Sequence, residues 1–199
     1  MQYLCTDYFM YMRNTKQFIS SSTIKKVQGR GKYYKMLDKA KQGELIQIRR
    51  GIYATLEQLS GNMIDIDIIV KGGILCLWSA WSIHKLTTSM PQAFHIAVPR
   101  GRKVTIPAFP QIEIHHYTDK ILNVGVMKTT IDGYIINVYD AERSVCDAVK
   151  FRNKIGIDVC SEIIGNYLER PERNISKLMG YAKLLRVNTT LEKYLEVKL

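Results

Sequence analysis

The longest nearly uninterrupted apolar run in this chain, Ile74 to Ile83, is ten residues long. A membrane-spanning helix needs about 20, so the sequence predicts a soluble protein with no membrane partner. It must bury its apolar residues in a core of its own making. Hydrophobic residues are 46% of the 199, too many for a disordered tail. The 13 Gly follow no period, which excludes collagen, and four Cys are too few for a disulfide scaffold. Asp7 and the polar stretch from Arg13 interrupt the early apolar residues, so no secretory leader is expected at the start.

Charge divides the chain more sharply than hydropathy does. The net charge is +11. Residues 1–60 hold 11 Lys and Arg against 4 Asp and Glu, while residues 61–199 hold 18 against 14. A surplus concentrated in the first third suits a polyanion-binding module. Cys5, Cys76, Cys146 and Cys160 contain no C-x-x-C pair, and three of them sit in apolar segments. They read as buried thiols in a reducing cytoplasm rather than as zinc ligands.

The first third has the order of a winged helix-turn-helix. Gln2 to Arg13 can form a first helix. Ser20, Ser21 and Ser22 offer caps for a second through Ile24 and Val27. Gly29 and Gly31 then break the chain, and Lys32 to Gln42 forms a third helix. At 100° per residue its Tyr33, Met36, Leu37 and Ala40 share one face. Lys32, Lys35, Lys39 and Gln42 share the opposite one. Glu44 to Arg49 and Ile52 to Ala54 form β-prone runs around Arg50-Gly51, a hairpin with Arg49 and Arg50 at its tip. In this arrangement the third helix enters the major groove of double-stranded DNA and the wing touches backbone or minor groove. Lys32, Lys35, Lys39 and Gln42 are the groove candidates; Lys25, Lys26, Arg30, Arg49 and Arg50 are the phosphate candidates. A solvated basic face on an interaction module is the competing reading.

The remainder predicts a small mixed sheet covered by helices, so the whole is α+β. Residues 1–60 form the DNA-binding domain and 61–199 a larger mixed α/β domain with a helical C-terminal part. Asn62 to Val70 fits strand or helix equally, and Ile74 to Leu86 reads as a buried helix. Phe94 to Val98 and Ile112 to Tyr117 are strands. Val126 to Ile131 and Tyr134 to Val138 flank Asp132-Gly133, a hairpin signal. Asp140 caps a helix through Phe151. Further helices follow, with breaks at Gly156, Arg170-Pro171 and Asn188-Thr189.

Several segments together resemble the AbiEi family of antitoxins. Arg50-Gly51-Ile52-Tyr53, after Gly43-Glu44-Leu45-Ile46, resembles its "rGvYa" wing signature. Cys76-Leu77-Trp78-Ser79-Ala80, with His84 and Leu86 beyond, resembles its "iCLxSAL…HgL" helix. Tyr139 to Asp147 is similar to its "vYdxERTlcD" segment, and Lys150 to Val159 to one of its branches. Tyr181-Ala182, Arg186-Val187 and Tyr194-Leu195 are similar to that branch's tail. The order is collinear over nearly the whole chain. Trp81 stands where the family has Leu, Lys85 where it has Gly, and the residues before Ile24 match poorly. The resemblance implies a winged helix followed by an antitoxin domain in a type IV toxin–antitoxin, abortive-infection operon. Such a protein represses its own promoter at inverted repeats. It counteracts an AbiEii-like, nucleotidyltransferase-like toxin, and direct contact with that toxin is not required.

Catalysis, cofactor and metal are not expected. His115 and His116 are adjacent in a strand and point to opposite faces, so they read as structural. His84 lies near a helix C-terminus, where the dipole favours imidazolium, and reads as a capping or packing residue rather than a catalytic one. Arg143 and Asp147, four apart, can pair on one helix face, with Asp140 and Glu142 in the first turn; a functional surface is the alternative. Glu196-x-Lys198 is half of a nuclease motif without the preceding strand and Asp. Phosphate-loop and nucleophile-elbow motifs are missing from the sequence. Arg100, Arg102 and Lys103 around Gly101 form a possible second basic site or a solvated loop. Arg152, Lys154, Arg170, Arg173, Lys177, Lys183 and Arg186 give the last helices a basic cast. Besides the antitoxin, two readings remain open: a stand-alone winged-helix regulator whose larger domain senses a ligand or dimerises, and a nucleic-acid-processing enzyme.

Overall fold

In the computed structural model, which describes residues 18–59 and 65–198, the first helix begins where Ser20 supplies a hydroxyl. Ser20 Oγ accepts from the Thr23 amide at 3.4 Å and caps α1, Ser21–Val27. The expected helix over Gln2 to Arg13 and Cys5 lie outside the described residues. Gln28 ends α1 by donating its amide to the Ile24 carbonyl, and α2 runs Gly29–Lys41. The expected break at Gly31 does not occur: Gly29, at φ +84°, makes the turn alone, and Gly31 lies inside the helix.

Strands β2, Ile46–Arg49, and β3, Ile52–Ala54, form the expected hairpin, with its first strand two residues shorter at its start. A third strand that sequence periodicity missed, β1, Ile19–Ser20, pairs antiparallel with β3, so the sheet order is β1-β3-β2. Two residues are too few to carry a pattern. Ile19, Ile24, Met36, Leu45 and Tyr53 form the core here, with Tyr33, Leu37 and Ala40 against it. Each such side chain contributes roughly 1.5–3 kcal/mol when fully buried. A short α3, Leu56–Leu59, follows.

The described residues fall into two compact units: 18–59 with 105–109, and 65–104 with 110–198. The second opens with α4, Ile66–Ile69, capped by Asp65 Oδ1 accepting from the Ile68 amide at 3.2 Å. That cap settles as helix a segment whose apolar spacing fitted both periods. The buried helix expected from Ile74 is corrected: Ile74–Leu75 is a strand, β4, and the helix α5 is Leu77–Ile83. An apolar run has the same composition in both conformations. Pairing decides it, because β4 is hydrogen-bonded on both sides, antiparallel to β5, Phe94–Pro99, and parallel to β8, Tyr134–Tyr139.

The sheet is completed by β6, Ile112–Tyr117, parallel to β5, and β7, Val126–Ile131, antiparallel to β8; its order is β6-β5-β4-β8-β7. A single-turn helix, α6 (Asp119–Leu122), connects β6 to β7. The β7–β8 turn has Asp132 at φ +53° and Gly133 at +81°, the left-handed pair that an Asp-Gly hairpin requires. Then come α7, Ala141–Ile155; α8, Ile157–Leu168; α9, Ile175–Leu185; and α10, Asn188–Lys198. The last break falls at Arg186, in the left-handed conformation, two residues before the expected Asn188. Ile74, Ala97, Tyr117 and Tyr139 of the sheet share one core with Val145, Ile163, Leu178 and Leu191 of these helices. The described fold is thus mixed α+β, and none of its helices is long and apolar enough to cross a membrane. Cys76, Cys146 and Cys160 are buried free thiols, and burial pushes Cys146 up to about 12.

Candidate nucleic-acid interface

The cations of the first unit owe their positions to the apolar stripe of α2. Tyr33, Met36, Leu37 and Ala40 face inward, so Lys32, Lys35 and Lys39, at spacings of three and four, are exposed on the other side. The helix holds five Lys and Arg against the single acid Asp38. Its 13 residues span about 20 Å, and a B-DNA major groove about 12 Å wide admits a helix. Gln42 is its exposed C-cap and Arg30 lies in its exposed first turn.

Lys25 and Lys26 occupy the last turn of α1, where the helix dipole favours cations. The Lys25 ammonium also sits 5.6 Å from the Tyr33 ring centroid. Arg49 and Arg50 are exposed at the hairpin tip. That tip is anchored to the start of α1: the Ser21 amide donates to the Gly51 carbonyl at 2.8 Å. A Cβ at Gly51, which adopts φ +81°, would lie 3.1 Å from Ser21 Oγ. Lys39 pairs with Glu44 at 3.1 Å, both about half exposed. Such a surface pair is worth 0–1 kcal/mol, little hindrance to a phosphate that competes for the ammonium.

Charges in the second unit serve different ends. The Arg100–Lys103 turn is fixed by its backbone: the Arg100 amide donates to the Tyr117 carbonyl at 2.7 Å and Arg102 to Pro99 at 3.2 Å. Arg100 and Lys103 are exposed, while Arg102 is half-buried. Two cations of the last helices already have acidic partners. Lys177 Nζ lies 3.0 Å from both Asp140 Oδ2 and Glu142 Oε2, and Arg170 pairs with Glu172 at 2.6 Å.

Arg143 and Asp147 pair as their spacing predicts, at 3.2 Å, but deep inside, each fully buried. Arg143 Nη1 donates to the carbonyls of Ile121 and Val124 at 2.7 and 3.2 Å, and its guanidinium stacks 4.3 Å over Tyr139. Burial raises the Asp147 carboxyl above the ordinary value, against the guanidinium that lowers it. Such depth excludes a surface role for either residue. Glu142, opposed by burial but held by Lys177 and by the Tyr167 hydroxyl at 3.1 Å, ends below the ordinary glutamate range.

His84 is held in the packing: its Nε2–H donates to the Tyr139 carbonyl at 2.7 Å, and burial lowers its pKa, against the effect of the helix dipole. His115 and His116 do point to opposite faces, with His116 at 3.1 Å from the Arg102 carbonyl. The sequence hides a different partner for His115: His95, on the neighbouring parallel strand and twenty residues away, lies 3.0 Å from it. Comparison with protein-family models and with curated proteins finds no match for this chain.

Proposed function

We propose that the chain is a DNA-binding antitoxin that represses its own promoter and counteracts a nucleotidyltransferase-like toxin. In this reading the first unit is a winged helix, with α2 in the major groove and the Arg49–Arg50 tip on the phosphates. The observation that carries it is the polarity of α2: one side is built into the core, and the other exposes Lys32, Lys35 and Lys39. Exposed ammonium groups along one side of a helix set up a positive potential that attracts polyanions. The Ser21–Gly51 bond, which fixes the basic tip relative to the helices, supports the same reading.

The antitoxin role rests on the collinear resemblance. The resembling segments lie at structural joints, Cys76 to Ala80 where β4 turns into α5 and Tyr139 to Asp147 where β8 turns into α7. Double-stranded DNA carrying inverted repeats from upstream of the gene is the expected ligand. Mobility shift with that DNA, together with a search of the adjacent genes for a nucleotidyltransferase-like one and its expression alone and with this chain, tests both halves. Promoter binding with rescue from toxicity supports the proposal. Binding without a toxic neighbour reduces the protein to a stand-alone regulator, and absence of binding removes the winged-helix reading.

A further inference from the structure

Parallel pairing of β5 and β6 sets His95 opposite Glu113 and Ala97 opposite His115, so three potential ligands share one sheet face at the edge strand. His95 Nδ1 is 3.0 Å from His115 Nε2 and 3.5 Å from Glu113 Oε2, and the three ligand atoms lie within 4.8 Å of one another. The rings are stacked nearly parallel, 14° apart. We propose that His95, Glu113 and His115 bind one divalent transition-metal ion of the zinc class. This does not depend on the DNA-binding reading.

The distances suit such an ion. At about 2.0–2.1 Å from each donor, tetrahedral zinc needs donors about 3.3 Å apart. The observed 3.0 and 3.5 Å bracket that value. Two imidazoles this close can share only one proton, whereas an ion takes a lone pair from each. Unprotonated imidazole nitrogens and a carboxylate are the donor forms that such an ion takes. Two nitrogens and one carboxylate select zinc, cobalt or nickel over magnesium and calcium, which prefer oxygen alone.

The site is anchored on one side and adaptable on the other. The His95 amide donates to Ser79 Oγ at 2.9 Å, and His95 accepts from the Cys76 amide through its carbonyl, fixing the buried ligand to α5. Glu113 is 60% exposed, so its carboxylate can close on an incoming ion. Three protein ligands leave a position open to water or an exogenous ligand. The Lys154 charge bears on His115 and opposes an ion, which moderates affinity.

Titrating metal-free full-length protein with Co2+, then displacing it with Zn2+, tests the proposal. One equivalent of Co2+ should give visible d–d bands without a thiolate charge-transfer band, and Zn2+ should abolish them. Glu113→Gln, at an exposed position, and His115→Asn should each weaken binding at least tenfold, while His116→Ala, on the opposite face, should leave it unchanged. Circular dichroism verifies that the variants fold. Wild-type protein without one-equivalent binding, thiolate bands, or affinity that survives Glu113→Gln would each overturn the assignment.

Discussion

The two units use charge in opposite ways. In the smaller, cations lie outside: Lys35, Lys39, Arg49 and Arg50 are exposed. In the larger, the decisive charges lie inside: Arg143 and Asp147 are fully buried, and the partly exposed Lys177 clamps the buried Asp140 and Glu142. The same residue types therefore predict different phenotypes. A buried charge is coupled to folding because its partner cannot be hydrated, whereas an exposed one is coupled only to what it meets in solution.

The largest effect expected is from Asp147→Ala. It leaves the Arg143 guanidinium buried without its carboxylate, and urea titration should show a loss of about 3–5 kcal/mol. A loss under about 1 kcal/mol would erase the contrast between the units. Gly125→Ala comes next. Gly125 has φ +75°, and a Cβ there would stand 2.6 Å from Arg143 Cβ. Strain and overpacking together should cost about 2–4 kcal/mol, read by the same titration.

Lys177→Met should cost about 1 kcal/mol at neutral pH, since its ammonium is partly solvated. It should also alter acid sensitivity. With the Glu142 pKa depressed, its contribution is fully present above the ordinary glutamate value of about 4.3 and disappears as pH falls through the lowered folded value. Unfolding measured from pH 7 to pH 3 should therefore lose less stability in the variant than in wild type, and parallel curves would rule out the Lys177 clamp. Smallest are Lys35→Ala and Arg50→Ala, each expected within about 0.5 kcal/mol of wild type in stability. A larger cost would mean that these cations support the fold after all.

The same contrast governs how much was legible in the sequence. Features set by neighbours along the chain were readable: the Ser20 and Asp140 caps, the Asp132-Gly133 turn and the α2 stripe all follow from spacings of four residues or fewer. The Arg143–Asp147 pair was readable for the same reason, but its burial was not, because depth is set by elements elsewhere in the chain. Ile74–Leu75 looked helical because a strand paired on both sides has no polar alternation to betray it. The dipole acting on His84 is legible because it is local, whereas the burial that opposes it comes from packing. His95 and His115 meet only because β5 and β6 are parallel neighbours, a register that spacing along the chain does not encode.

The central claim is that the exposed cations of the smaller unit bind DNA through phosphates. Its most direct test is the dependence of promoter-DNA affinity on salt, measured by fluorescence anisotropy for wild type and for the combined Lys35→Ala, Lys39→Ala, Arg49→Ala, Arg50→Ala variant. Each phosphate contact contributes about −0.9 to the slope of log K against log salt. The wild-type slope should be steep, and the variant's shallower by about 2–4, with both proteins equally stable. Equal slopes in the two proteins would contradict the account.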